Sequence, residues 1–178
     1  MDSINKNQPE ENHENLYAEK AAEKIKELIE KNKSCFFCTR QAGGESEGVR
    51  PMSVQKVDGD GSLWFLSSND SHKNSELTMD PEVHLYFQGS AHSDFLYLKG
   101  RASLSKDKTI IKDLWEPALK TWFTEGENDP RISVIKVIPD NGYYWDTKHG
   151  NAVAAVKIML GAVMGKTFDD SIEGRVSL

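Results

Sequence analysis

The sequence predicts a mainly β chain with peripheral helices, an antiparallel barrel or curled sheet of the α+β class. Three observations lead there. Short apolar or alternating runs, SCFFCTR, GVRPMSVQKV, SLWFLS, EVHLYFQ, DFLYLKGRASL, RISVIKVIP and NGYYWDT, are separated by turn-rich links such as QAGGESEG, DGDG and GSAHS. Helical periodicity is confined to the start, the middle and the region near the end. Strands and helices do not alternate regularly, and neither a G-x-G-x-x-G nor a Walker-type loop is present, which argues against a doubly wound nucleotide-binding sheet.

Taken in order, residues 1–13 are polar and expected to form a disordered tail. From Glu14 to Lys31, Leu16, Ala21, Ile25, Leu28 and Ile29 recur at helical spacing among Glu and Lys, which predicts an amphipathic packing helix. The next three runs read as an antiparallel meander. Asn69, Asp70 and Ser71 are good N-cap residues, so HKNSELTM is expected to be a helix of about two turns that Pro81 closes. EVHLYFQ and DFLYLKGRASL follow as strands. In residues 107–123 the apolar spacing is helical, with Pro117 expected to kink or split the helix. RISVIKVIP and NGYYWDT read as two further strands and NAVAAVKIMLGAVMGK as a helix. One domain over residues 14–165 is expected, with 166–178 as a C-terminal tail.

Composition narrows the function classes. Twenty-eight acids against 22 Lys and Arg leave a net charge of -6, the wrong sign for neutralising nucleic-acid phosphates. No basic-then-apolar leader opens the chain and no stretch approaches the ~20 apolar residues of a membrane span, so a cytoplasmic protein is expected. The Cys35–Cys38 pair in CFFC has redox or zinc spacing. On a strand, however, residues three apart point to opposite faces, which favours two buried thiols over a disulfide. The five histidines show no metal-ligand pattern.

The stretch WFLSSNDSHKNSELTM holds the candidate site. A helix N-terminus offers unpaired N–H groups and partial positive charge to a phosphate. Ser67, Ser68 and Ser71 add hydroxyls there, and His72 and Lys73 add cations. Lys73 is informative because a cation in the first turn opposes the helix dipole. Arg50, on the preceding meander strand, could offer a bidentate fork. By spacing alone, ordinary surface charge remains the alternative. No G-x-S-x-G elbow and no His–Glu metal pair is present, so any chemistry is expected to come from a bound cofactor.

GVRPMSVQ followed by WFLSSNDSHKNSELTMDPEVHLYF resembles the FMN-binding split barrel of pyridoxamine 5′-phosphate oxidase-like proteins. WFTEGENDPR with VIKVIPDNGYYWD, and HGN…GKTFDDSIEG, resemble its bacterial general stress protein 26 subgroup. The resemblance runs from about residue 14 to near the end. It implies Arg50 and Lys73 as phosphate clamps with Ser71 and His72 in the same turn. Met52 and Ser53 would be among the cofactor-binding residues, Val54 and Gln55 would lie along the isoalloxazine, Leu66 and Ser67 would line the flavin, and Trp145 would reach the flavin from the second subunit of a homodimer. FMN is the implied cofactor, with FAD as the alternative, and a flavin oxidoreductase acting on a small molecule is the implied activity. Gln55 stands where the vitamin-oxidising enzymes carry a Lys, a flavin-contacting Gln of those enzymes is replaced near Phe95, and their C-terminal Arg motifs are missing, so pyridoxine phosphate oxidation is not expected. Alternatives of other classes are a flavin-storing stress protein without turnover, and a split-barrel relative holding a deazaflavin or a haem, with His149 as axial ligand.

Overall fold

The computed structural model describes residues 12–40, 47–91, 93–150 and 170–178, together with 153, 156, 157 and 159. Residues 1–11 of the expected N-terminal tail and most of the expected helix 151–166 lie outside the described residues, while His13, expected in that tail, bridges to Glu173.

Strand β1 (Leu16–Tyr17) leads directly into helix α1 (Ala18–Lys31). The predicted stripe Ala21, Ile25, Leu28 and Ile29 is buried, and Ala22 joins it. Leu16, expected inside the helix, instead belongs to the sheet. The helix is also pinned by charge: Lys24 Nζ lies 2.9 Å from the buried Asp146 carboxylate, and Lys31 Nζ lies 2.7 Å from buried Asp94.

Strands β2 (Ser34–Arg40) and β3 (Glu47–Ser53) form an antiparallel pair. The expected three-strand meander ends there. β4 (Lys56–Val57) pairs with β5 (Leu63–Ser68), and β5 pairs onward with β8 (Ile132–Thr147), not with β3. The crossing is made at Val54 and Gln55. The Val54 N–H donates to the Lys33 carbonyl on the β2 side, while the Gln55 N–H donates to the Trp64 carbonyl on β5, at 2.9 and 2.8 Å. Two adjacent amides thus serve different strand pairs, and the barrel is split at that point.

Helix α2 (His72–Met79) follows β5, and β6 (Glu82–Gln88) and β7 (Phe95–Ser105) continue the sheet. Two-thirds along, the expected helix of residues 107–123 divides at Pro117 into α3 (Lys108–Leu114), capped by Asp107 through the Thr109 N–H, and a 3-10 turn (Pro117–Thr121). β8 is one strand of 16 residues where two were expected. The motif Pro139-Asp140-Asn141 looks like a turn, but β7 takes it up as a bulge: Gly100 pairs with Pro139, Lys99 pairs with Asn141, and Asp140 is the extra residue. Gly100 is needed there, because a Cβ on it would lie 2.4 Å from the Ile138 carbonyl oxygen.

The segment expected as a C-terminal tail is corrected in part. Ser171–Ser177 is strand β9, antiparallel to β8 and parallel to β1. The sheet runs β1-β9-β8-β7-β6-β2-β3 and does not close. Its inner face and α1 share one core, with Phe37, Phe65, Leu85 and Ile135 fully buried. A second core lies between α3 and the other face of β5 and β8, built from Leu66, Ile111, Leu114, Phe123, Ile132 and Val134. Cys35 and Cys38 are buried and form no disulfide, and burial pushes the Cys35 thiol up to about 12, as fits a packing group.

Candidate functional site

Arg50 reaches the site by strand alternation. It pairs across β2 with Phe37, so both side chains leave the sheet on its inner face, at the end that α2 covers. The start of α2 is fastened to the barrel by polar groups. Ser67 Oγ donates to Asn74 Oδ1 (3.1 Å), Asn74 Nδ2 donates to Ser133 Oγ (2.7 Å), and Ser133 Oγ donates to the Ser67 carbonyl (3.1 Å). Asn69 extends the clasp, with its side-chain amide on the Pro130 carbonyl at 2.9 Å. These groups hold the helix terminus in one position relative to β5 and β8.

Ser71 is the N-cap residue, as expected, yet its side chain makes no capping bond and the first turn carries no acid. Its hydroxyl instead lies 3.3 Å from Ser67 Oγ and accepts from Lys73 Nζ at 3.3 Å. Lys73 is half-buried; burial, and then the charge of Arg50, hold its ammonium below the ordinary lysine value. Arg50 Nη1 donates to Glu76 Oε2 at 2.7 Å, and Thr39 Oγ1 donates to the same oxygen at 2.5 Å. Burial pushes the Glu76 carboxyl up, but the bonds from Arg50 and Thr39 outweigh it and the net displacement is downward. Arg50, Ser71, His72, Lys73 and Glu76 line one open depression of about 590 Å³.

The other predicted residues divide into groups. Ser67 is buried in the hydrogen-bonded clasp, and Leu66 is 8% exposed within the second core, its side chain beneath α3. Val54 is in the main core, with Met52 packed against it. Ser53 is exposed, and Gln55 is half-buried with its amide on the Ser53 carbonyl at 3.0 Å. Trp145 sits apart from the phosphate-type depression. It lies on the outer face of the sheet, 43% exposed, and lines with Phe36, Tyr86, Phe95 and Tyr97 an aromatic groove of about 410 Å³.

Thr39, Gly48, Asn74, Glu76 and Ser133 are part of this site and were not predicted. Glu76 had a sequence signal, since it stands one turn after Lys73 on α2. Ser133 and Thr39 had none, because only long-range pairing brings β8 and β2 to the helix. Among the described residues no cluster of three His, Cys, Asp or Glu could hold a metal ion, and no helix is long and apolar enough to cross a membrane.

Known proteins match most of the chain in sequence or in structure. Protein bli-3 of Neurospora crassa is 25% identical over 151 residues, covering 80% of this chain and 72% of that protein. A crystal structure from Jannaschia sp. CCS1, described as a general stress protein 26, superposes with a TM-score of 0.73 at 20% identity, over 88% of this chain and 97% of that one. The general stress FMN/FAD binding protein of Xanthomonas citri superposes with a TM-score of 0.59 at 23% identity, over 68% of this chain and 85% of that one. The family model for pyridoxamine 5′-phosphate oxidase-like proteins matches residues 20–169, and the chain belongs to that family.

Proposed function

We propose that the protein binds a flavin, FMN in preference to FAD, through its phosphate at the start of α2, and serves as a flavin-dependent oxidoreductase for a small molecule. The observation that carries this reading is the pairing of Arg50 and Lys73 in one depression. Two cations are held close enough for one to depress the other's proton affinity, and one carboxylate, Glu76, lines the same depression and is paired with Arg50. An anion with several acceptor oxygens fits that donor set, which combines a guanidinium, an ammonium, the Ser71 hydroxyl and the positive end of a helix. The FMN/FAD binding protein of Xanthomonas citri is a relative of the same architecture and supports the choice of a flavin. The flavin, when bound, supplies the electron exchange; this chain's residues anchor its phosphate and shape its surroundings. A haem reading gains nothing from His149, whose Nδ1 lies 2.7 Å from the buried Asp170 carboxylate and which serves there as a structural tie.

The site test is titration of the apoprotein with FMN, FAD and riboflavin. Phosphate anchoring requires FMN to bind at least about tenfold tighter than riboflavin, since charge-assisted contacts are at stake. Equal affinities would remove the phosphate assignment. Steady turnover with NAD(P)H separates an oxidoreductase from a flavin store.

A homodimer belongs to the same proposal. Phe36 (59%), Tyr86 (46%), Trp145 (43%) and Val49 (55%) are exposed on the outer face of neighbouring strands, a contiguous apolar surface of the kind that marks an interface. The expected result is a dimer by light scattering that Tyr86→Glu converts to monomer, since a buried unpaired carboxylate is costly. A Tyr86→Glu protein that stays dimeric would place the interface elsewhere.

A further inference from the structure

Glu76 is paired with Arg50 and lines the depression that also holds Lys73, and nothing in a phosphate-binding role alone calls for an acid there. Its side chain is nearly buried, and one oxygen takes bonds from both Arg50 and Thr39. The backbone is carved to fit this cluster. A Cβ on Gly48 would fall 1.9 Å from Arg50 Nη2, 2.9 Å from Thr39 Oγ1 and 3.0 Å from Glu76 Oε2, so the guanidinium lies flat against β3 only because residue 48 has no side chain. Only one of the terminal guanidinium nitrogens bonds to Glu76, and both belong to a rigid planar fork.

Resting on the phosphate reading above, we infer that Glu76 is the positioning residue and internal counter-ion of the anion site. It fixes the Arg50 fork through Nη1 and sets the affinity for phosphomonoesters by opposing their charge. Among the side chains that line the depression, ionised Glu76 offsets one of the two positive charges of Arg50 and Lys73, and Asp70, outside that lining, acts on Lys73 in the same sense. Glu76 therefore has two opposing effects: it improves the geometry of one donor and weakens the field that all donors present. The carboxylate also offsets part of the repulsion between the two cations when no ligand is present.

The two effects separate by substitution. Glu76→Gln keeps an oxygen that accepts from Arg50 and Thr39 but removes the charge. FMN is expected to bind about five- to twentyfold tighter, with a steeper loss of affinity as salt rises, and riboflavin affinity is expected to stay unchanged. Arg50→Lys keeps the charge but replaces the fork with one ammonium, which Glu76 captures; FMN is expected to bind about tenfold weaker or more. An unchanged or weakened FMN affinity in Glu76→Gln overturns the inference. If that variant does not fold, Glu76→Asp, which keeps the charge but draws the carboxylate back from Arg50 Nη1, decides: FMN is expected to bind about fivefold weaker or more, and an affinity within about twofold of wild type overturns the inference. Wild-type protein that binds FMN no better than riboflavin removes the phosphate reading and this inference together. Clear FMN preference in the wild type without the Glu76→Gln gain removes this inference only.

Discussion

At the proposed phosphate site, Arg50→Ala and Lys73→Ala are each expected to weaken FMN binding by roughly ten- to a hundredfold and to leave riboflavin binding unaffected. Each change would delete one proposed charge-assisted contact to the phosphate, a kind of contact typically worth ~1.5–3 kcal/mol. The two variants differ in what remains. Without Lys73, the Arg50–Glu76 pair at 2.7 Å and its bond from Thr39 persist, so stability is nearly unchanged. Without Arg50, Glu76 keeps only Thr39 as a close donor in a nearly buried position, and a thermal shift downward accompanies the loss of affinity. The effects of the two substitutions are not expected to add, because the Arg50 charge acts directly on Lys73. Calorimetric titration of both single variants and the double variant reads the coupling. Full FMN affinity in either single variant would exclude that residue from the phosphate contact.

The legibility of this site was uneven, for physical reasons. The start of α2 could be read because capping is local: Asn69-Asp70-Ser71 precedes the helix, and Asp80-Pro81 ends it. That Arg50 faces the same depression could not be read from spacing. It depends on the register of β3 with β2 and on α2 folding back over that end of the barrel; a place on a neighbouring meander strand makes Arg50 a candidate, and the family resemblance gives it the same role. The meander failed for a related reason. Local turn chemistry in DGDG correctly signals the β4–β5 hairpin, but the partner on the other edge of β5 is β8, far along the chain. β9 was missed because SIEGRVS carries little apolar content and acquires its strand state from β8 and β1 on either side. The division of residues 107–123 was readable because Pro117 acts on its own backbone, whatever surrounds it.

The neighbouring phenylalanines of CFFC should respond in opposite ways to the same substitution. Phe37 is fully buried, packs edge-on to Phe65 at 5.3 Å between ring centroids, and faces the barrel core. Phe37→Ala removes a ring from a packed interior and should cost about 3–5 kcal/mol. Against a total stability of ~5–15 kcal/mol for a native protein, that is enough to leave the variant marginal or unfolded. Phe36, one residue earlier, points to the outer face and is 59% exposed. Phe36→Ala should change the unfolding free energy of the isolated chain by no more than about 0.5 kcal/mol. Its effect should appear in self-association, because Phe36 lies in the aromatic groove with Tyr86 and Trp145. Denaturant unfolding at low protein concentration, paired with light scattering at high concentration, measures both. Equal destabilisation by the two changes would contradict the strand alternation on which the placement of Arg50, opposite Phe37 on the inner face, also depends.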